Sequence, residues 1–339
     1  MTNVIDIKKE VPRIIHSLLP EIKVISFEEI QQGIQNKVFI LKQSCGEDLI
    51  LRIIKPTLHS WKPYKEEIVY KLLMEQGLPV PKIIKVDTSQ NIIPFDISIS
   101  SRLPGESMSE KYNFINFSQK LSVYRELGEI VAKIHNITFD QFGDVKNNQG
   151  TIQAGEAWEI TESSALLNQG PFTTWEEMHT ELVEARVQYF KGTPFNSLTH
   201  DIREYFKTHN HFINYKIIPR LLHMDLHRKN IFMNHGHISG IIDVEESIIG
   251  HNEYDLMRIH LAHFEENNGE HLKKAFLEGY TKIIPLDKGY ESRQNFYKLS
   301  RTLVHIKCLI LKKEQYSNNL KEDINEAKEL VYKLITDNT

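Results

Sequence analysis

The chain of 339 residues carries a formal net charge of −4, with 40% hydrophobic and 25% charged residues. So small a charge excludes the strongly basic profile of a nucleic-acid binder, and the length exceeds one small core, so one large or two joined domains are expected. The two cysteines, Cys45 and Cys308, fit neither a metal spacing nor a disulfide framework, which favours a reducing compartment. "MTNVIDIKKE" lacks the apolar core of a signal peptide, and no run approaches the ~20 apolar residues of a membrane span, so a cytoplasmic protein without a membrane partner is expected.

In chain order, residues 1–20 space their apolar positions as a helix and end in a proline. "KVISFEEI", "KVFILKQ" and "DLILRIIK" read as three adjacent strands, the last two joined by the turn-forming "SCGED". "KEEIVYKLLMEQG" is an amphipathic helix stopped by Gly77, followed by the extended segments "LPVPKIIKVD" and "FDISISSRLPGES". The step Leu103-Pro104-Gly105 is the candidate hinge, dividing residues 1–103 from 104–339. From about Lys120 the pattern turns helical, with Leu121, Leu127, Val131 and Ile134 on one side. The exception is a hairpin in which "IFMN" and "ISGIIDV" flank "HGH". The expected class is α+β: a small β-rich lobe and a larger, mainly helical one.

Chemistry concentrates in "LLHMDLHRKNIF", residues 221–232. In an extended segment His223, Asp225 and His227 share a face, and with His235 or His237 they could ligate zinc, although no HExxH or second paired-histidine motif supports this. A second reading uses oxygen ligands. Asp225, Asn230 five residues later and Asp243 at the end of "ISGIID" are the set that phosphoryl transfer needs: one carboxylate to meet the attacking hydroxyl, and an amide and a carboxylate to hold Mg²⁺. A plain polar turn at Asp225 and Asn230 is the bland alternative.

"HMDLHRKNIFMNHGHISGIIDVEESIIGHNEYDLMRI" resembles the signature of the aminoglycoside phosphotransferase family, close to HGDLHxxN followed by a strand and IDxE. "QQGIQNKVFIL", "LILRIIKP", "KEEIVYKLLMEQGLPVPKII", "SSRLPGES" and "LGEIVAKIHNI" follow the family's order over residues 25–260, and "TTW" and "LILR" hint at hygromycin-type members. The resemblance implies a protein-kinase-like two-lobe fold, ATP or GTP as donor, Mg²⁺, and a small-molecule hydroxyl acceptor, most plausibly a cationic aminoglycoside-type antibiotic. It implies that Asp225 orients and deprotonates the acceptor, and that Asn230 and Asp243 bind the metal. Arg52 then contacts the nucleotide phosphates with Glu66 as its partner, while Gly33, Ser101 and Leu103 line the nucleotide site. The family more commonly has lysine as the phosphate anchor, which leaves Lys55 as a competitor to Arg52. Met224 stands where glycine is usual, and Arg228-Lys229 where Pro-Gly is frequent. Asp255 is expected to brace the loop, and His227 to serve as a hydrogen-bonding group.

No DFG-to-APE segment follows Asp243, which argues against a polypeptide acceptor. Glu245 and Glu246, with Glu253, Glu265 and Glu266 beyond, would attract a polycation if they converge, although solvated helix charges explain the last two as well. Trp158, Trp175 and Tyr189 are candidates for the acceptor-site wall. Choline-like or sugar kinases, and a non-catalytic nucleotide-binding module, remain alternatives on the same fold.

Overall fold

A computed structural model describes residues 6–30, 36–55, 62–148, 151–155, 170–311 and 320–337. Helix α1 (Ile7–Leu18) buries Ile7, Val11 and Ile14 at helical spacing. Strands β1 (Val24–Ile30), β2 (Lys37–Gln43) and β3 (Leu49–Ile54) then form an antiparallel meander, in which β3 alternates buried and half-buried residues. Helix α2 (Lys62–Glu75) ends before Gly77, whose φ of +68° needs no Cβ-bearing residue to adopt it. Strands β4 (Ile83–Asp87) and β5 (Asp96–Ser101) complete a five-stranded sheet of order β1-β2-β3-β5-β4. The short β6 (Glu106–Ser107) leads into α3 (Met108–Lys111), capped by a reciprocal Ser107–Glu110 box.

Helix α4 (Phe117–His135) buries Leu127, Val131 and Ile134. Beyond it come β7 (Gly143–Asn148), β8 (Thr151–Gly155), α5 (Trp175–Val187), α6 (Thr199–Thr208) and β9 (Arg220–Leu222). The expected hairpin is present as β10 (Ile231–Asn234) and β11 (His237–Ile241). The chain ends in β12 (Ile248–Gly250), α7 (Asn252–His263), α8 (Gly269–Tyr280), α9 (Tyr290–Leu311) and α10 (Leu320–Thr336).

The chain divides into two compact units, 1–114 with 229–245, and 115–228 with 246–339. The first is β-rich. Its core sets Phe39, Leu41, Leu51, Ile53, Ile97 and Ile99 against Val11 and Ile14. The second is mainly helical, with the four-stranded sheet β8-β7-β12-β9 and a core that includes Trp175, Leu222, Met224, Tyr254 and Phe296.

The division expected at 103/104 is drawn differently by the contacts. β6 pairs with β10, so residues 106–114 and the hairpin fold with the first unit and not with the helices. Within that unit Gly105 is essential: a Cβ there would stand 2.0 Å from the Met233 carbonyl oxygen. Among the described residues, no helix is long and apolar enough to cross a membrane.

Candidate active site

Period-two alternation in β3 buries Leu49, Leu51 and Ile53 and turns Arg52 to the opposite face of the sheet. There Arg52 Nη1 donates to both carboxylate oxygens of Glu66 at 2.8 Å. Glu66 lies on α2 and is 1% exposed, so this is the paired, hydrogen-bonded arrangement a buried charge requires. Arg52 Nη2 also approaches Glu245 at 4.0 Å, whereas Lys55 is exposed just past the end of β3.

Asp243 follows β11 with φ +67°, and its N–H donates to the Tyr70 hydroxyl of α2 at 2.9 Å. The preceding N–H, of Ile242, donates to the Asn230 carbonyl at 2.9 Å, and Asn230 Nδ2 stands 3.5 Å from Asp243 Oδ2. The first unit therefore gathers Arg52, Glu66, Asn230, Asp243 and Glu245. One carboxylate oxygen from each of Glu66, Asp243 and Glu245 lies within 4.8 Å of the other two.

Burial raises the Glu66 carboxyl to about 7 against the pull of Arg52, and Glu245 and Asp243 add to the rise. Burial alone would depress Arg52, but Glu66, Asp243 and Glu245 outweigh it and hold the guanidinium above its ordinary value. An all-oxygen donor set from three carboxylates, with an amide beside it, fits a hard cation such as Mg²⁺.

The second unit holds Asp225 and its loop. Asp225 Oδ1 accepts from Arg258 Nη2 at 2.6 Å, and His227 Nε2 stands 3.6 Å from Oδ2, beyond hydrogen-bond distance. The loop is braced by Asp255, fully buried, which accepts from the His223 and Met224 N–H groups at 2.9 Å each, while His135 Nε2 lies 3.1 Å away. Burial would raise Asp255, but these hydrogen bonds outweigh it and hold the carboxyl below its ordinary value. Met224 takes φ +70°, which explains why glycine is usual there, and the Asp255 contact holds its N–H in that conformation.

A second brace occupies the place of the usual Pro-Gly. Arg228 donates to the Tyr124 hydroxyl at 3.1 Å and to Glu266 at 2.7 Å. The Tyr124 hydroxyl lies 3.0 Å from His263 Nδ1, and His263 Nε2 lies 2.9 Å from the Leu226 carbonyl, so both ends of 226–228 are tied to one network.

Two of these partners, Arg258 and Tyr70, were not singled out from the sequence. A signal existed for Arg258, three residues after Asp255 on the same face of α7. Tyr70 is four residues after Glu66 on α2 by the same rule.

The remaining expectations separate. Leu103 packs where a Cβ on Gly240 would fall 2.4 Å from its Cδ1, and Ser101 Oγ accepts from the Lys82 N–H at 2.9 Å, both within the first unit. Gly33 and Trp158 lie outside the described residues. Glu246 is half-buried and belongs to the second unit.

Glu253 is 1% exposed and held by Arg293 at 2.5 and 2.7 Å, Glu265 pairs with Lys298, and Glu266 pairs with Arg228, so these three are neutralised by internal cations. Trp175, 1% exposed with its Nε1 donating to Tyr297, is core and no acceptor wall, because its ring fills the space between α5 and β12. The zinc reading fails. Among the described residues, the groupings with metal-ligand proximity are Glu66–Asp243–Glu245 and His251–Glu253–Asp287, and His223 instead accepts from the Asp225 N–H at 3.3 Å.

The model of the phosphotransferase enzyme family matches residues 26–296. A "Probable ketoamine kinase" of Enterococcus faecium is 28% identical over 190 residues, 54% of this chain and 60% of that protein. The chloroplastic protein-ribulosamine 3-kinase of Arabidopsis thaliana is 29% identical over 198 residues, 57% of this chain and 54% of that protein. Among these and other curated relatives the match spans 32% to 60% of their length.

Aminoglycoside phosphotransferase APH(4)-Ia, solved as a ternary complex with AMP-PNP and hygromycin B, superposes with a TM-score of 0.68 at 15% identity, over 96% of this chain and 97% of that one. ADP-bound APH(2'')-Ib gives 0.63 at 13% identity, over 96% and 98%. At such identities the likeness establishes the fold: the kinase-like fold of the aminoglycoside phosphotransferases.

Proposed function

Because the chain belongs to the phosphotransferase enzyme family, we propose that it transfers the γ-phosphate of ATP or GTP, with Mg²⁺, to a hydroxyl of a small amine-bearing sugar. The observation that carries this is the convergence of Glu66, Asp243 and Glu245 on Arg52, with the Asn230 amide beside them. Three carboxylate oxygens within reach of one another, with an amide beside them, are the donor set a hard cation takes.

In this reading Asn230 and Asp243 hold the metal, which when bound neutralises the nucleotide phosphates and offsets charge developing on the transferred group. Arg52 supplies a fixed cation to the same phosphates, and Glu66 keeps its guanidinium extended. Asp225, itself oriented by Arg258, accepts a hydrogen bond from the acceptor hydroxyl. The acceptor oxygen bonds to the γ-phosphorus, the bond to the bridging oxygen breaks, nucleoside diphosphate leaves, and the hydroxyl proton passes to Asp225.

The acceptor class rests on chemistry common to the neighbours' names: hygromycin B, ketoamines and ribulosamines all carry an amine on a hydroxylated sugar-derived skeleton. Glu253, Glu265 and Glu266 are paired with Arg293, Lys298 and Arg228, so the amine contact does not rest on them.

Incubation of the protein with Mg²⁺, ATP or GTP, and a panel of aminoglycosides and sugar-amine adducts, with mass-spectrometric detection of phosphorylated products, tests the proposal. A product is expected from at least one amine-bearing sugar, and Asp225→Ala should reduce its formation by about 10³-fold. Products only from hydroxylated compounds without an amine would remove the acceptor class, and turnover in Asp225→Ala equal to wild type would remove the mechanism.

A further inference from the structure

Asp243, two residues past the end of β11, takes φ +67°, in the left-handed region that few residues with a Cβ adopt. Three successive N–H groups show how the strand is anchored as it runs out. Ile241 donates to the Pro79 carbonyl at 3.0 Å, Ile242 to the Asn230 carbonyl at 2.9 Å, and Asp243 to the Tyr70 hydroxyl at 2.9 Å. The first two partners are main chain; the third is a side chain, 3% exposed, on α2. The Asp243 N–H lies past the strand ladder, and a hydroxyl is the acceptor that meets it.

Tyr70 stands four residues after Glu66, so both project from one face of α2 a single turn apart. One helix thus carries the carboxylate that holds Arg52 and the hydroxyl that holds Asp243.

We infer that Tyr70 is a positioning residue for phosphoryl transfer: its hydroxyl fixes the left-handed backbone at Asp243 and thereby aims the Asp243 carboxylate at the metal. The inference rests on the metal role of Asp243 in the function proposed above. A partner that orients a metal ligand without touching the metal is expected to change metal affinity by 10- to 100-fold when removed. Tyr70→Phe keeps the ring and its burial and deletes the acceptor. A merely structural hydroxyl would lower the melting temperature by the same amount in every ligand state. A positioning hydroxyl moves the metal dependence.

The test is the thermal stabilisation of wild type and Tyr70→Phe by ADP across a Mg²⁺ series, read without turnover. The half-saturating Mg²⁺ concentration should rise at least about tenfold in Tyr70→Phe, with stabilisation by ADP in EDTA unchanged. Equal half-saturating concentrations in the two proteins would overturn the role of Tyr70 and leave the nucleotide reading intact. If wild type shows no Mg²⁺-dependent increment, the metal reading falls and the inference falls with it.

Should Tyr70→Phe fail to fold, amide exchange in wild type decides. The Asp243 N–H should exchange as slowly as its neighbours Ile241 and Ile242, and exchange at the rate of an exposed loop would overturn the inference.

Discussion

Two carboxylate sites, one in each compact unit, are built on different plans. Around Asp255 two backbone N–H groups and His135 converge on one carboxylate, and its pKa falls. Around Asp243 three carboxylates, those of Glu66, Asp243 and Glu245, converge beside Arg52, and burial pushes Glu66 up to about 7. A carboxylate that collects donors stabilises the fold. Carboxylates gathered within reach of one another repel, and a bound cation relieves that repulsion.

The largest expected effect separates the two by sign. Asp243→Asn should lower kcat by about 10³-fold, equivalent to about 4 kcal/mol. Its melting temperature without ligand should hold or rise, because a like charge leaves the cluster; a clear fall on calorimetry would break the comparison.

Asp255→Ala strips three donors of their acceptor and should cost about 3–5 kcal/mol of stability, seen as a shifted denaturant midpoint. Its activity should decline further than the folded fraction does, because the loop that carries Asp225 loses its brace.

The third prediction concerns pH and the second unit. Burial depresses His179 to about 3 and His263 to about 4, so both are neutral when folded. The unfolded chain protonates them near 6.5, so below that pH it binds more protons and stability must fall, by about 1.4 kcal/mol per pH unit for each histidine until the folded values are reached. Thermal melts from pH 7 to 5 should show the loss, and His179→Gln should flatten it. A pH-independent melting temperature over that range would contradict the neutral assignment.

Arg52→Lys is expected to be milder. The charge stays while the planar contact with Glu66 goes, so kcat/KM should fall by about tenfold, about 1.4 kcal/mol, and Arg52→Met should cost more. If Lys and Met variants were equally impaired, geometry and not charge would be the requirement.

The legible part of this molecule was local. Alternation in "LILRII", the helix after it and the spacing of Asp225, Asn230 and Asp243 are periodic or short-range signals, and the strands, helix and hairpin they imply are present. Arg258 reaches Asp225 across 33 residues and Tyr70 reaches Asp243 across 173, pairings that no periodicity encodes.

The hairpin's membership was misread for a related reason. Its partner β6 is two residues long, too short to stand out from the segment around Pro104 and Gly105. Trp175 illustrates the converse: an aromatic expected to wall the acceptor site is closed into a core by residues distant in sequence.

The most direct test of the central claim is a calorimetric titration of ADP into wild type and Asp243→Asn, with Mg²⁺ and with EDTA. The account predicts that Mg²⁺ tightens ADP binding in wild type and leaves Asp243→Asn unchanged. Equal Mg²⁺ dependence in the two proteins, or none in either, would contradict the assignment of the Glu66–Asp243–Glu245 cluster as the metal and nucleotide site.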